Sequence, residues 1–412
     1  MTVRHLITAL LGALVALTAV LFLRPTSAPA NVAERSAGLD WSKVSTRELN
    51  IAAVFLTARE SGIRPALDSL EKLAATDAQL EGMGHVLAHA LGRFAIAQSK
   101  DVAILAQCRE IFQAGCYHGV LEGYLAEQPE PTAQLVASIC APVAQAHSAR
   151  LPALECAHGL GHGILGRMNY AIAPSAALCE ALADAESQRE CLDGLFMEYV
   201  VHGTGGVTVN VGDAAVALHQ HGSMTHDAVP RTYFHANDLA FPCDSVAAAY
   251  QPSCWSYQPN AIMTLTKNDL ARTIGQCDSA PSASRAACYG GIGKQSMGWF
   301  GWNHEKQVSL CQHGAEDMLA ACVAGGVEAF IDRSWNSEGA MSYCADVPAV
   351  GREACYATIG ARMRLVAADG GEVWRACEAA PVRYRETCRR GGERESREEP
   401  RASHPAGTAG PA

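Results

Sequence analysis

Three short stretches of this chain carry ligand-type side chains spaced four residues apart. Gly82-Met83-Gly84-His85-Val86-Leu87-Ala88-His89 supplies His85 and His89. Gly115-Cys116-Tyr117-His118-Gly119-Val120-Leu121-Glu122 supplies His118 and Glu122, and Glu155-Cys156-Ala157-His158-Gly159-Leu160-Gly161-His162 supplies His158 and His162. On a helix, an i, i+4 pair projects from one face. Three such helices side by side would turn five imidazoles and one carboxylate toward a shared region. That donor set suits Fe, Cu or Zn rather than calcium or magnesium. Six ligands exceed the needs of one tetrahedral zinc, so full convergence implies a dinuclear centre of the kind helical bundles build.

Such a centre would support metal-dependent oxidoreductase or hydrolase chemistry. Glu198 is the expected general base or bridging carboxylate. Asp193, His202 and His235 are further expected ligands, or groups that orient an imidazole. Haem held between two of the histidines is a lesser alternative. A carrier that holds metal without an open coordination position is another, and a non-catalytic scaffold binding a protein or peptide is a third. A purely structural role explains the pattern less well. Descent from one ancestral unit would carry His-Gly into the C-terminal repeats, where Gly290-Gly291 and Ala324-Gly325 stand instead.

The elements that must position these residues are marked by cysteine. The sixteen cysteines fall into consecutive pairs: Cys108 and Cys116, Cys140 and Cys156, Cys179 and Cys191, Cys243 and Cys254, Cys277 and Cys288, Cys311 and Cys322, Cys344 and Cys355, Cys377 and Cys388. From Cys243 onward the first cysteines are 34, 34, 33 and 33 residues apart. A period of that length is the signature of a stacked two-helix repeat. Within one unit, residues 269–276 are helical in pattern, and Pro281 bars a continuous helix. Ser282 or Ser284 is placed to cap the next helix, which carries Cys288. Each pair thus sits at the tight end of a helical hairpin, close enough for a local disulfide. Pairing between neighbouring repeats is the rival connectivity. Metal-binding cysteine knuckles and a Cys-x2-Cys-His haem site are absent from the sequence.

The second cysteine of each pair therefore serves as a ruler. Three residues after it stands Gly119, Gly159, Gly194, Gly291, Gly325 or Gly391, where a small residue would let helix backbones approach. Two and six residues after it stand His118 and Glu122 in one helix and His158 and His162 in the next, and Met83 takes the cysteine slot for His85 and His89. Farther along, the same frame gives Asp193 with Met197, Ser256 with Asn260, Gly290 with Lys294, Ala324 with Glu328 and Ala357 with Ala361. The ligand-type pairs are concentrated in the first three such helices.

The expected fold is all-α, a disulfide-stapled array of helical-hairpin repeats of about 33–40 residues, forming an α-solenoid or α/α-toroid. The scarcity of aromatic residues, 6% against 49% hydrophobic, suits close helix packing better than a β-sandwich. Residues 1–30 read as a signal peptide whose apolar run, residues 6–23, precedes an A-x-A-like site; a retained anchor, the sole expected membrane contact, is the alternative. Either outcome exports the remainder to a periplasmic or extracellular space, as the even cysteine count also implies. After a linker at 31–45, repeats bearing the His/Glu pairs span 46–202. An insertion or lid occupies 203–242 with His219, His221, His226 and His235, stapled repeats fill 243–390, and a disordered tail covers 391–412. A net charge of -10 leaves no basic stripe for nucleic acid. The partner is an unspecified small-molecule or peptide substrate.

Overall fold

The computed structural model describes residues 45–204, 208–211, 214–217, 233–235 and 237–394. The expected export segment, His219, His221 and His226 of the insertion, and the tail beyond residue 394 lie outside them.

Helix formation follows local signals. Ser45 and Glu48 close a capping box on α1 (Thr46–Ser61), which leads into α2 (Ile63–Ala74). Asp77 caps α3 (Ala78–Ser99) by accepting from the backbone N–H groups of Gln79 and Leu80. A 3-10 turn, Val102–Gln107, precedes α4 (Gly115–Ala126). Short helices α5 (Ala133–Ser138) and α6 (Ala141–Ala146) lead to α7 (Leu151–Arg167), and α8 (Ile172–Cys179) leads to α9 (Ala185–Gly203). Two strands, Thr208–Val211 and Ala214–Ala217, then pair antiparallel within the insertion.

The C-terminal repeats alternate short outer and long inner helices. They are α10 (Gln251–Leu265), α11 (Leu270–Asp278), α12 (Ser282–Trp299), α13 (His304–Gln312) and α14 (Leu319–Ser334). The series closes with α15 (Glu338–Asp346), α16 (Ala349–Val366), α17 (Gly370–Glu378) and α18 (Val382–Arg394). Asp269, Asn303 and Asp369 cap successive outer helices through side-chain oxygens.

Two local expectations are corrected. Neither Ser282 nor Ser284 caps α12: Pro281 occupies the cap position at φ -51°, close to helical values before the helix starts, and no side-chain cap bond is made. Helix α18 also runs through Arg394, so residues 391–394, expected in the tail, are helical. The reason is packing, because Gly391 is the ruler glycine of this repeat and lies against the Ala357 carbonyl of α16.

All eight disulfides are local, and the rival pairing between neighbouring repeats does not occur. In the N-terminal half Cys108 bonds Cys116, Cys140 bonds Cys156 and Cys179 bonds Cys191. In the C-terminal half Cys243 bonds Cys254, Cys277 bonds Cys288, and Cys311 bonds Cys322. The last two staples join Cys344 to Cys355 and Cys377 to Cys388. Their Cα–Cα separations are 5.4–5.8 Å, within the ordinary disulfide range. The array is therefore all-helical apart from the two-stranded ribbon, with each staple joining consecutive elements of a repeat. Staples of this number persist in oxidising compartments. Among the described residues no helix is long and apolar enough to cross a membrane.

Inner helices α3, α4, α7, α9, α10, α12, α14, α16 and α18 pack in series. Their approach is limited only by backbone. A Cβ built on Gly194 of α9 would stand 1.9 Å from the His158 carbonyl oxygen of α7, and one on Gly161 of α7 would stand 1.9 Å from the Cys191 oxygen of α9. The array also curls back on itself. Arg333 of α14 meets Glu81 of α3, Arg364 of α16 meets Glu186 of α9, and Leu365 packs with Leu151 and Leu154 of α7.

Candidate metal centre

The close approach of α3, α4 and α7 brings their histidines into one cluster. Gly119 of α4 packs on the His89 carbonyl, and Gly159 of α7 packs on the backbone and ring of His118. Ring centroids lie 4.7 Å apart for His85 and His89, and 5.0 Å apart both for His89 with His118 and for His118 with His162. His158 stands 5.2 Å from His118 and 5.1 Å from His162. All five expected imidazoles are thus brought together. Within them, His85, His89 and His118 each offer one ring nitrogen, all within 4.8 Å of one another, a group able to hold a metal ion.

Several rings are oriented by a group bound at Nδ1. The His85 Nδ1–H donates to the Phe112 carbonyl at 2.8 Å, leaving Nε2 unprotonated on the neutral ring, buried and without a hydrogen-bond partner. Phe112 reaches this point because Phe112, Gln113 and Ala114 all have φ between 50° and 56°, a left-handed turn that carries the carbonyl back over α3. His162 Nδ1 lies 3.2 Å from Glu198 Oε2, with both side chains fully buried, and His162 Nε2 has no hydrogen-bond partner. Tyr170, itself in a left-handed turn at φ 60°, donates its O–H to the other oxygen of Glu198 at 2.8 Å. His118 Nδ1 and His89 Nε2 share a hydrogen bond of 3.1 Å. His89 Nδ1 stands 3.3 Å from Glu122 Oε1, and Arg93 donates to Glu122 Oε2 at 2.7 Å.

Burial favours the neutral form of four of the rings. Burial lowers His85, carries His89 and His118 well below the ordinary 6.5, and lowers His158 to about 4. A neutral imidazole offers a lone pair, which is the form that binds metal. The cluster continues into a polar interior formed where α14 and α16 reach back to α7 and α9. Glu155 Oε2 is 3.9 Å from His118 Nε2, and burial beside Asp332 and Glu190 pushes its carboxyl up to about 8. Glu190 Oε2 is 3.7 Å from His158 Nδ1, while Arg362 links Glu190 to Asp332.

Three other expected site residues have other neighbours. Asp193 is turned to Ser253 of α10, and burial next to Glu190 pushes it up to about 7. His202 stacks on Tyr170 at 4.0 Å and stands edge-on to Tyr233 at 4.9 Å. His235 is exposed and lies 4.6 Å from the Phe241 ring. Glu198 holds His162 and Tyr170 rather than facing an open surface.

Sequence reasoning missed Arg93, Tyr170, Glu155 and Glu190. Glu155 and Glu190 each stand one residue before the second cysteine of their pair, so the ruler could have found them. Arg93 is one helical turn beyond His89, on the same face. Tyr170 sits in a turn, where no periodic signal exists. Compared with known proteins, the chain matches no family model, no curated protein and no solved structure.

Proposed function

We propose that the chain is an exported transition-metal-binding protein whose centre is built by α3, α4 and α7. The observation that carries the reading is the three-nitrogen group of His85, His89 and His118, the last two buried, where the ruler glycines press neighbouring helices together. His158 and His162 extend it and would hold a second ion. Glu122 and Glu198 orient His89 and His162, as carboxylates do behind metal-bound imidazoles. Iron, copper and zinc all fit neutral imidazole donors, and the bound metal would supply Lewis-acid or redox chemistry for a hydrolase or oxidoreductase. The C-terminal repeats serve as a stapled support.

Storage or delivery of the metal is the second reading, favoured by burial. His89, His118 and His162 expose only 1%, 2% and 0% of their surface, which suits ligands that need no open position.

The test is Co(II) and Zn(II) titration of chelator-treated protein with its disulfides intact, followed by metal analysis after desalting. The expected result is retention of at least one equivalent, lost in His85→Ala/His118→Ala. Wild-type protein that retains neither metal, with unchanged stability in that variant, would sink the reading.

A further inference from the structure

One contact in the cluster involves sulfur. His158 Nε2 of α7 stands 3.4 Å from Met197 Sδ of α9. Met197 is six residues beyond Cys191, the ruler slot that Glu122 and His162 fill in the two preceding helices. On its other side, His158 Nδ1 faces Glu190 Oε2 at 3.7 Å. Two acceptors therefore flank one ring. A neutral imidazole has a single N–H, and thioether sulfur and carboxylate both accept. At 3.7 Å Glu190 makes no hydrogen bond, but its charge favours the tautomer protonated at Nδ1, in which the Nε2 lone pair faces the sulfur lone pairs.

A cation between Nε2 and Sδ would satisfy both. Two such donors on one ion, about 2.0–2.3 Å from it, stand roughly 3–4.4 Å apart, which brackets the observed separation. We infer that His158 and Met197 form a soft metal subsite selective for Cu(I), completed by His162. This deepens, and rests on, the metal-binding reading proposed above. Thioether sulfur prefers Cu(I) over zinc or Co(II), whereas the three-imidazole group of His85, His89 and His118 carries no such preference. His162 supplies the third donor because its ring lies 5.1 Å from that of His158 and its Nε2 is buried with no hydrogen-bond partner. The two subsites share one cluster but differ in hardness, and they separate by chemistry.

The disulfides make the test specific. All sixteen cysteines are bridged and none is free, so a metal–sulfur bond in the intact protein arises from methionine. Chelator-treated protein is loaded with Cu(I) anaerobically, without thiol reductant. Its X-ray absorption is measured, and its affinity is read by competition with a chromogenic Cu(I) chelator. The expected spectrum contains a sulfur shell at roughly 2.3 Å beside nitrogen. Met197→Leu, which conserves volume, abolishes the sulfur shell and weakens Cu(I) by at least about tenfold, with Co(II) and Zn(II) retention unchanged. His158→Gln gives the same Cu(I) loss and guards against a packing effect peculiar to Leu. A nitrogen-only shell in wild type, or an unchanged sulfur shell and affinity in Met197→Leu, overturns the soft subsite and leaves the metal-binding reading standing. Protein that retains none of the three metals overturns both.

Discussion

The first inner helices and the last share one frame and use it differently. Gly194 in α9 and Gly325 in α14 make the same contact, each with its built Cβ 1.9 Å from the carbonyl oxygen two residues past the preceding helix's second cysteine. In α4 and α7 that slot is His118 or His158; in α12 and α14 it is Gly290 or Ala324. The backbone geometry is therefore independent of the chemistry it carries. Staple and glycine contact build the repeat, and the side chains two and six residues past the cysteine differ between its copies. The C-terminal copies put Lys294 and Glu328 in the later slot, and both are drawn into a charge cluster with Asp332 and Arg362.

The largest expected separation between the halves is in metal affinity. His85→Ala/His118→Ala is expected to weaken Zn(II) by more than about 100-fold in a competition titration, beyond what loss of an orienting partner causes. Lys294→Ala/Glu328→Ala is expected to leave Zn(II) affinity unchanged. Equal losses in both variants would break the division of labour.

The next effect is pH dependence of the metal-free protein. His85, His89, His118 and His158 have folded values below the unfolded 6.5, so below it the unfolded chain binds more protons. Their stabilising contribution is fully present above pH 6.5 and is lost as pH falls, for His158 toward about 4. His158 alone accounts for roughly 3 kcal/mol over that interval. Urea unfolding from pH 7 to 4 reads the slope, and His158→Gln is expected to flatten it.

Gly194→Ala and Gly325→Ala should each cost about 1–3 kcal/mol, since a methyl would push against backbone. Thermal unfolding should show similar losses, but Cu(I) affinity should fall only in Gly194→Ala. Matching stability losses with no difference in affinity would detach the glycine contact from the site.

Much of this frame was legible in the sequence. The cysteine spacing gave the hairpins, and the spacing from the second cysteine gave His118, His158 and His162 on facing helices. The groups that orient the rings were harder to read. Phe112 and Tyr170 deliver a carbonyl and a hydroxyl from left-handed turns, and turn geometry leaves no periodic trace. Glu155 and Glu190 acquire their neighbours only because α14 and α16 curl back onto α7 and α9, a long-range closure that repeat length does not encode. Burial of Glu198 was likewise invisible. A helical glutamate beside a histidine reads as a base, whereas its two oxygens are occupied by His162 and Tyr170.

The smallest expected effect tests that revised role. Glu198→Gln keeps the shape but weakens the hold on His162, and is expected to lower Cu(I) affinity about 10–100-fold without changing the unfolding free energy by more than about 1 kcal/mol. Glu328→Gln, the C-terminal frame carboxylate, is the matched control and should leave Cu(I) affinity unaltered.

The central claim is that neighbouring inner helices converge their frame histidines on a metal. Its most direct test is an anomalous difference map from crystals of zinc-loaded, disulfide-intact protein, collected at the metal edge. The expected result is a peak at about 2.0–2.1 Å from ring nitrogens of His85, His89 and His118. A map without a peak in that cluster, from crystals whose metal lies elsewhere on the chain, would contradict it.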